Sequence, residues 1–205
     1  MTTIEEKLLH LPTYPQELGL NLSKPEDRFK WFLASILFAR RISASIAKNT
    51  YRCFEAEGIT DLEAIIRAGW DRLVEVLDSG GYVRYDFSTA SNLLELAAKL
   101  KEKYGSLENL YSEAKDSRDL EKRLLEFKGV GLTAVGIFLR ELKPFWEKAR
   151  PKPSPLAREM ASVLGLEEDA ALSFEPQLVK LNLEFCKRKR CSICPLGDAC
   201  PEVRR

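Results

Sequence analysis

Of the 205 residues, only one is histidine, and 32 basic side chains stand against 31 acidic ones, a net charge of +1. A lone His10, near the N-terminus and outside any motif, offers no general base. The near-zero balance excludes a chain that is a polycation as a whole. Long apolar runs are also missing. The most apolar stretch, Trp31 to Ala39, is nine residues between Lys30 and Arg40, whereas a membrane span needs about 20. The N-terminus lacks the apolar core of a cleavable signal, so an intracellular location and no membrane partner are expected. Alternation of apolar and polar residues never lasts long enough to argue for a sheet. With 45% hydrophobic and 31% charged residues, the composition is that of a soluble globular protein.

The periodicity that is present is helical. Ser23-Lys24-Pro25-Glu26 reads as an N-cap followed by proline and an acid, and Phe29, Phe32, Leu33, Ile36 and Leu37 then recur at three and four. Further helices are expected from Ser43 to about Glu55, after Asp61, from Ser88 to Tyr104 and from Ser117. Trp70, Leu73, Val74 and Leu77 share one face, and Cys53 reads as a small buried hydrophobe. Gly80-Gly81 breaks the pattern ahead of an aromatic loop, Tyr82 to Phe87. Many helices with short connections predict an all-α chain. The prolines at 151, 153 and 155 forbid a helix interior and mark the best boundary, with helices again over Leu156 to Leu164 and after Pro176.

Charge and cysteine are unevenly spread. Residues 186 to 205 carry six basic side chains against Asp198 and Glu202, and residues 140 to 160 carry six against three acids. Cys186, Cys191, Cys194 and Cys200 put four thiols in fifteen residues. In an intracellular protein that density indicates metal. A single Cys-x2-Cys knuckle in one continuous loop suits an iron–sulfur cluster better than the paired knuckles common at zinc sites, and both metals stay open. Lys187, Arg188, Lys189 and Arg190 between the first two cysteines are presented together by such a loop, as phosphate-binding side chains would be.

Residues 124–139 read as helix, tight turn, helix, with Gly129 and Gly131 flanking Val130. The glycines let the backbone turn sharply, and Ala134 and Gly136 are small enough for a close crossing. The free N–H groups opening the second helix suit a phosphate oxygen. An ordinary helical corner is the rival reading.

This stretch resembles the helix-hairpin-helix of the DNA glycosylase superfamily, with Lys128 in place of the usual proline. The cysteine spacing resembles the endonuclease III branch, with its first interval shortened to four residues. The resemblance spans about Ser23 to Pro201. It implies a helical barrel domain over residues 25–145 and a discontinuous cluster domain over 1–24 and 146–205. It implies a [4Fe–4S] cluster on the four cysteines, a monovalent cation at the hairpin, and a monomer that binds lesion-containing duplex DNA in base-excision repair. Gly129, Val130, Gly131, Thr133 and Lys187 to Arg190 would contact DNA. Arg40 stands where the family fills the gap left by a flipped nucleotide, and Tyr82 and Tyr85 lie in the loop that probes the opposite strand. Thr133 occupies the position of the Schiff-base lysine and Ser154 that of the carboxylate. The resemblance therefore implies damage recognition without cleavage, or a monofunctional glycosylase using another carboxylate (Glu147, Glu159 or Asp86). An iron–sulfur redox or sensor protein is the alternative of another class.

Overall fold

The computed structural model describes residues 3–204. Among these the chain is all-helical and carries no strand: α1 (Ile4–Leu9), α2 (Tyr14–Glu17), α3 (Pro25–Phe38), α4 (Ala44–Ala56), α5 (Leu62–Ser79), α6 (Asp86–Tyr104), α7 (Leu107–Glu113), α8 (Ser117–Leu124), α9 (Leu132–Leu142), α10 (Pro155–Val163), α11 (Glu168–Ser173) and α12 (Glu175–Leu181). A π-helical turn (Asn182–Cys186) and three 3-10 turns follow. No described helix is long and apolar enough to cross a membrane. Two compact units result, Leu20–Arg150 and Met1–Gly19 with Pro151–Arg205.

In the 20–150 unit, α3 is the central helix. Its apolar residues run nearly all round, which is the mark of a helix enclosed on every side, and ten of its fourteen residues are buried. Trp31 donates its indole N–H to the Phe138 carbonyl at 3.3 Å and so fixes α3 on α9. Arg28 donates to both carboxylate oxygens of Glu108 at 2.8 and 3.0 Å, and to the carbonyls of Leu22 and Ser23. A bidentate pair of this kind is strong and directional. The α3 N-cap is Lys24 rather than Ser23. Ser23 is held back by Asn21, whose side-chain oxygen accepts both its N–H and its hydroxyl.

The junction between units falls at Arg150 and Pro151, a few residues beyond Phe145. Trp146 stacks on Tyr111 with centroids 4.3 Å apart. Lys148 donates to the carbonyls of Tyr111 at 2.9 Å and Ala114 at 2.6 Å. A lysine at a helix C-terminus satisfies orphan carbonyls and the dipole together, so Lys148, one of the basic residues of the 140–160 run, is a cap for α7.

The second unit has its own core: Leu8 and Leu11 pack with Met160, Leu164, Leu178, Leu181 and Leu196. Lys7 donates to the Leu196 carbonyl at 2.8 Å, tying α1 to the cysteine loop. Lys180 is buried, donates to Pro12 O at 2.6 Å, pairs with Glu17 and lies 5.6 Å from the Tyr14 ring centroid.

Candidate nucleic-acid interface and cysteine cavity

The hairpin in the 20–150 unit is built as its residues require. Phe127 and Val130 are buried between α8 and α9. Gly129 has φ +84°, where a side chain is strained, and a Cβ there would also lie 2.7–2.9 Å from the side chain of Asn92 on α6. Gly131 is the N-cap of α9, with no side chain capping the helix. The first amides of α9 are thus free for an anion, with the helix dipole behind them. Thr133 is exposed in this first turn, and Leu132 is 75% exposed. Ala134 is fully buried, whereas a Cβ on Gly136 would meet nothing within 4 Å. The close crossing therefore depends on Ala134 and not on Gly136.

Arg40 and the aromatic loop come together. The Arg40 guanidinium sits 5.7 Å from the Tyr85 ring centroid and that of Arg84 5.5 Å from the same ring. Tyr82 is not a wedge. It is 1% exposed and its hydroxyl donates to Leu37 O at 3.1 Å. Burial raises its pKa to about 12, against the opposing pull of Arg40. The α5–α6 turn drives Tyr82 inward because its hydroxyl finds a backbone acceptor on α3, and Val83 stands at the surface instead, 62% exposed. Beneath the loop, Asp86 is buried beside Asp78; burial, a shared hydrogen bond and the like charge raise the Asp78 pKa.

In the other unit, Cys186, Cys191, Cys194 and Cys200 line one cavity of about 580 Å³, together with Leu156, Met160, Val163, Leu164 and Phe185. Burial raises the Cys186 thiol pKa, and the other three cysteines add to the shift, Cys194 first. Glu159, Asn182, Lys187 and Glu202 add polar groups to this largely apolar lining. Among the described residues, no group of three or more His, Cys, Asp or Glu stands in metal-binding geometry. The donor chemistry, four thiols lining one largely apolar cavity, still fits a thiolate-bound metal centre. Cys53, by contrast, is only partly buried.

The short first interval of the cysteine loop is closed by two backbone devices. The π-helical turn carries Lys187 N–H to Asn182 O at 2.9 Å and sets Phe185, Cys186 and Lys187 on the cavity wall. Lys189 then adopts φ +53°, unique among the described non-glycine residues, and Arg190 N–H closes on Phe185 O at 3.0 Å. Lys187 to Arg190 are all exposed. A left-handed lysine costs about 1–2 kcal/mol, partly offset in a glycine variant by the extra chain entropy of glycine. Lys189→Gly is expected to gain about 0.5–1 kcal/mol by urea denaturation. A lower midpoint would show that the lysine side chain contributes more than its backbone costs.

Ser154 is the N-cap of α10: its Oγ accepts from Ala157 N–H at 3.3 Å. Its own N–H donates to the carboxylate of Glu175, which is 3% exposed. Glu175 carries no signal in the sequence: it lies 21 residues along the chain and has no motif around it. Of the carboxylates expected to substitute for one at Ser154, Glu147 and Glu159 are exposed, and Asp86 is committed to Asp78.

No protein-family model and no curated protein sequence matches the chain. Among solved structures, it is similar to the H. pylori 3-methyladenine DNA glycosylase (MagIII) bound to 1,N6-ethenoadenine, with a TM-score of 0.50, 19% sequence identity, and 78% of this chain and 85% of that chain covered. The chain is all-α, with a helix-hairpin-helix DNA glycosylase-like fold.

Proposed function

We propose that this protein binds duplex DNA at damaged bases in base-excision repair. The observation that carries the reading is the hairpin: an uncapped α9 N-terminus at Gly131, held by a Gly129 turn that tolerates no side chain. The amides of that turn would take a backbone phosphate, and a monovalent cation would sit among its carbonyls. Arg40 and Tyr85 would enter the strand, and Lys187 to Arg190 would hold phosphates from their own unit. The resemblance to a glycosylase that acts on 3-methyladenine extends the lesions to be tried to alkylated and etheno purines.

Cys186, Cys191, Cys194 and Cys200 would hold a [4Fe–4S] cluster, as an endonuclease III-like loop does. Such a cluster would brace the loop that displays the four basic side chains. Cys194→Ser is expected to remove the brown chromophore and most of the bound iron; a variant retaining both would show that the ligand set is different, and zinc in place of iron would assign the other metal.

Thr133 has no amine to form a Schiff base, and the Ser154 hydroxyl is committed to its helix cap, so strand cleavage by a lyase step is not expected. The favoured reading is recognition without base removal. Base removal by a monofunctional glycosylase has one observation behind it, the Glu175 carboxylate one hydrogen bond from Ser154.

The test uses duplexes carrying single lesions, incubated with protein in excess and read by gel shift and by scission with and without hot alkali. Retarded duplexes that stay intact after alkali match recognition alone; scission only after alkali establishes the glycosylase. Arg188→Glu with Lys189→Glu should weaken all duplexes alike and flatten the salt dependence. Unchanged affinity and slope would remove the cysteine loop from the interface.

A further inference from the structure

The 20–150 unit exposes an aromatic pair that the hairpin and the loops around Tyr85 do not use. Trp70 is 40% exposed and Phe87 60% exposed, with ring centroids 5.4 Å apart and planes tilted by 34°. Leaving two large rings in water forfeits burial that every other tryptophan in the chain obtains: Trp31 is 0% and Trp146 2% exposed.

The Trp70 ring is also held in place. Trp70 donates its indole N–H to Ser91 Oγ at 2.9 Å, and Ser91 donates its hydroxyl to Phe87 O at 2.9 Å. The serine thus anchors the Trp70 ring to α6, where the Phe87 side chain also stands. The position of Trp70 comes from Gly69, which has φ +72° and interrupts α5, so that the helix restarts at the tryptophan. With its single donor spent on Ser91, the indole has only its face to offer a ligand. A pinned aromatic surface without a free donor recognises flat rings by stacking and is indifferent to their hydrogen-bonding edges.

Two observations indicate what stacks there. Cations lie close by along the chain: Arg84, three residues before Phe87, shares the Tyr85 ring with Arg40. The platform also runs into the hairpin along one stripe of α6. Phe87, Ser91 and Glu95 follow at four-residue intervals, and Glu95 pairs with Lys128, next to Gly129, at 3.3 Å. Eight residues of helix span about 12 Å, a few phosphate steps along a strand.

We propose that Trp70 and Phe87 form a stacking platform for unpaired nucleobases of a DNA strand whose backbone lies on the hairpin. The proposal rests on the DNA-binding reading above. It makes the protein favour duplexes with looped-out or single-stranded nucleotides beside the contact, without sequence preference.

The test uses the whole chain and its own fluorescence, since Trp70 is the tryptophan that an external quencher can reach. A duplex with a central run of unpaired thymines, its fully paired counterpart, and a short oligothymidylate are titrated in turn. The looped duplex and the oligothymidylate are expected to change Trp70 emission and shield it from acrylamide, and the paired duplex to bind without doing so. Phe87→Ala and Trp70→Ala should each weaken the looped duplex about tenfold and leave the paired duplex unchanged. Phe87→Ala removes an exposed ring, so it keeps the test sound if Trp70→Ala folds poorly.

A looped duplex that is retarded on a gel while Trp70 emission and acrylamide access stay unmoved would overturn the platform and leave DNA binding intact. Equal loss for looped and paired duplexes in Phe87→Ala would overturn it too. If no duplex is retarded at all, the DNA-binding reading falls, while Trp70 shielding by oligothymidylate would still support stacking. Emission that no nucleic acid moves, but a protein partner does, would assign the surface to protein instead.

Discussion

Gly80→Ala is expected to be among the most destabilising single changes in the 20–150 unit. Gly80 has ordinary backbone angles, φ −80° and ψ −7°, at the C-cap of α5, so the cost does not come from its conformation. A Cβ there would lie 2.3 Å from the Cα of Thr50 and 2.3 Å from its Oγ1. Thr50 is fully buried on α4, with its hydroxyl bonded to Ile46 O at 2.8 Å. The clash is with backbone, and only separation of α4 from α5 relieves it. Overpacking of this kind costs about 1–3 kcal/mol and sometimes more, and backbone against backbone belongs at or above the top of that range. A loss of about 3 kcal/mol should lower the melting temperature by roughly 10 °C. Gly81→Ala is the control. Its Cβ would meet only Ile46 Cγ2 at 3.9 Å, so the left-handed backbone penalty of about 1–2 kcal/mol acts alone. Equal melting temperatures for the two variants would refute the close-approach account.

The second large effect belongs to Lys180. Its ammonium is enclosed by Pro12 O, the Glu17 carboxylate and the Tyr14 ring, and the lysine side chain is 2% exposed. Lys180→Met keeps the length of the side chain and takes the charge away from Glu17. Breaking one half of a buried pair costs about 3–5 kcal/mol, while replacing both halves with neutral groups of similar size is far cheaper. The Glu17 side chain is 24% exposed and stays partly hydrated, so Lys180→Met is expected to lose about 2–3 kcal/mol, at or below the bottom of that range, and Lys180→Met with Glu17→Met to recover a large part of it. A double variant whose loss equals the sum of the two single losses would show that the pair is not coupled. Because Pro12 and α2 meet the rest of their unit partly through this lysine, amide exchange of residues 13–17 should rise in Lys180→Met.

Arg28 and Lys148 follow the same logic in the other unit. Each is a cation that a sequence count assigns to the surface, and each is used internally, Arg28 on Glu108 and Lys148 on the carbonyls ending α7. The basic character of residues 140–160 is reduced accordingly. Lys187 to Arg190, by contrast, remain exposed and available.

Much was legible from sequence because it is local. Helix starts at Ser43 and Asp61 follow from side chains that cap amides three residues on. The Gly-Val-Gly turn and the four-cysteine loop encode their geometry in spacing, since their atoms lie within a few residues of one another. The all-α class follows from a 3.6-residue period that no strand can use.

Tertiary structure alone decided which way individual side chains face. Tyr82 reads as a loop aromatic, yet Leu37 O, 45 residues away, draws it inside. Trp70 reads as a core residue in phase with Leu73 and Leu77, yet Gly69 breaks the phase and leaves it exposed beside Phe87. Glu175 is invisible in sequence and becomes the partner of Ser154 through a contact 21 residues apart. Of two adjacent glycines that look alike as helix breakers, Gly80 is required by another helix and Gly81 by its own backbone. The physical reason is common to all of these. A period or a motif fixes what a segment does by itself, while burial is set by whichever distant group can satisfy a hydroxyl, a carboxylate or an ammonium once water is gone.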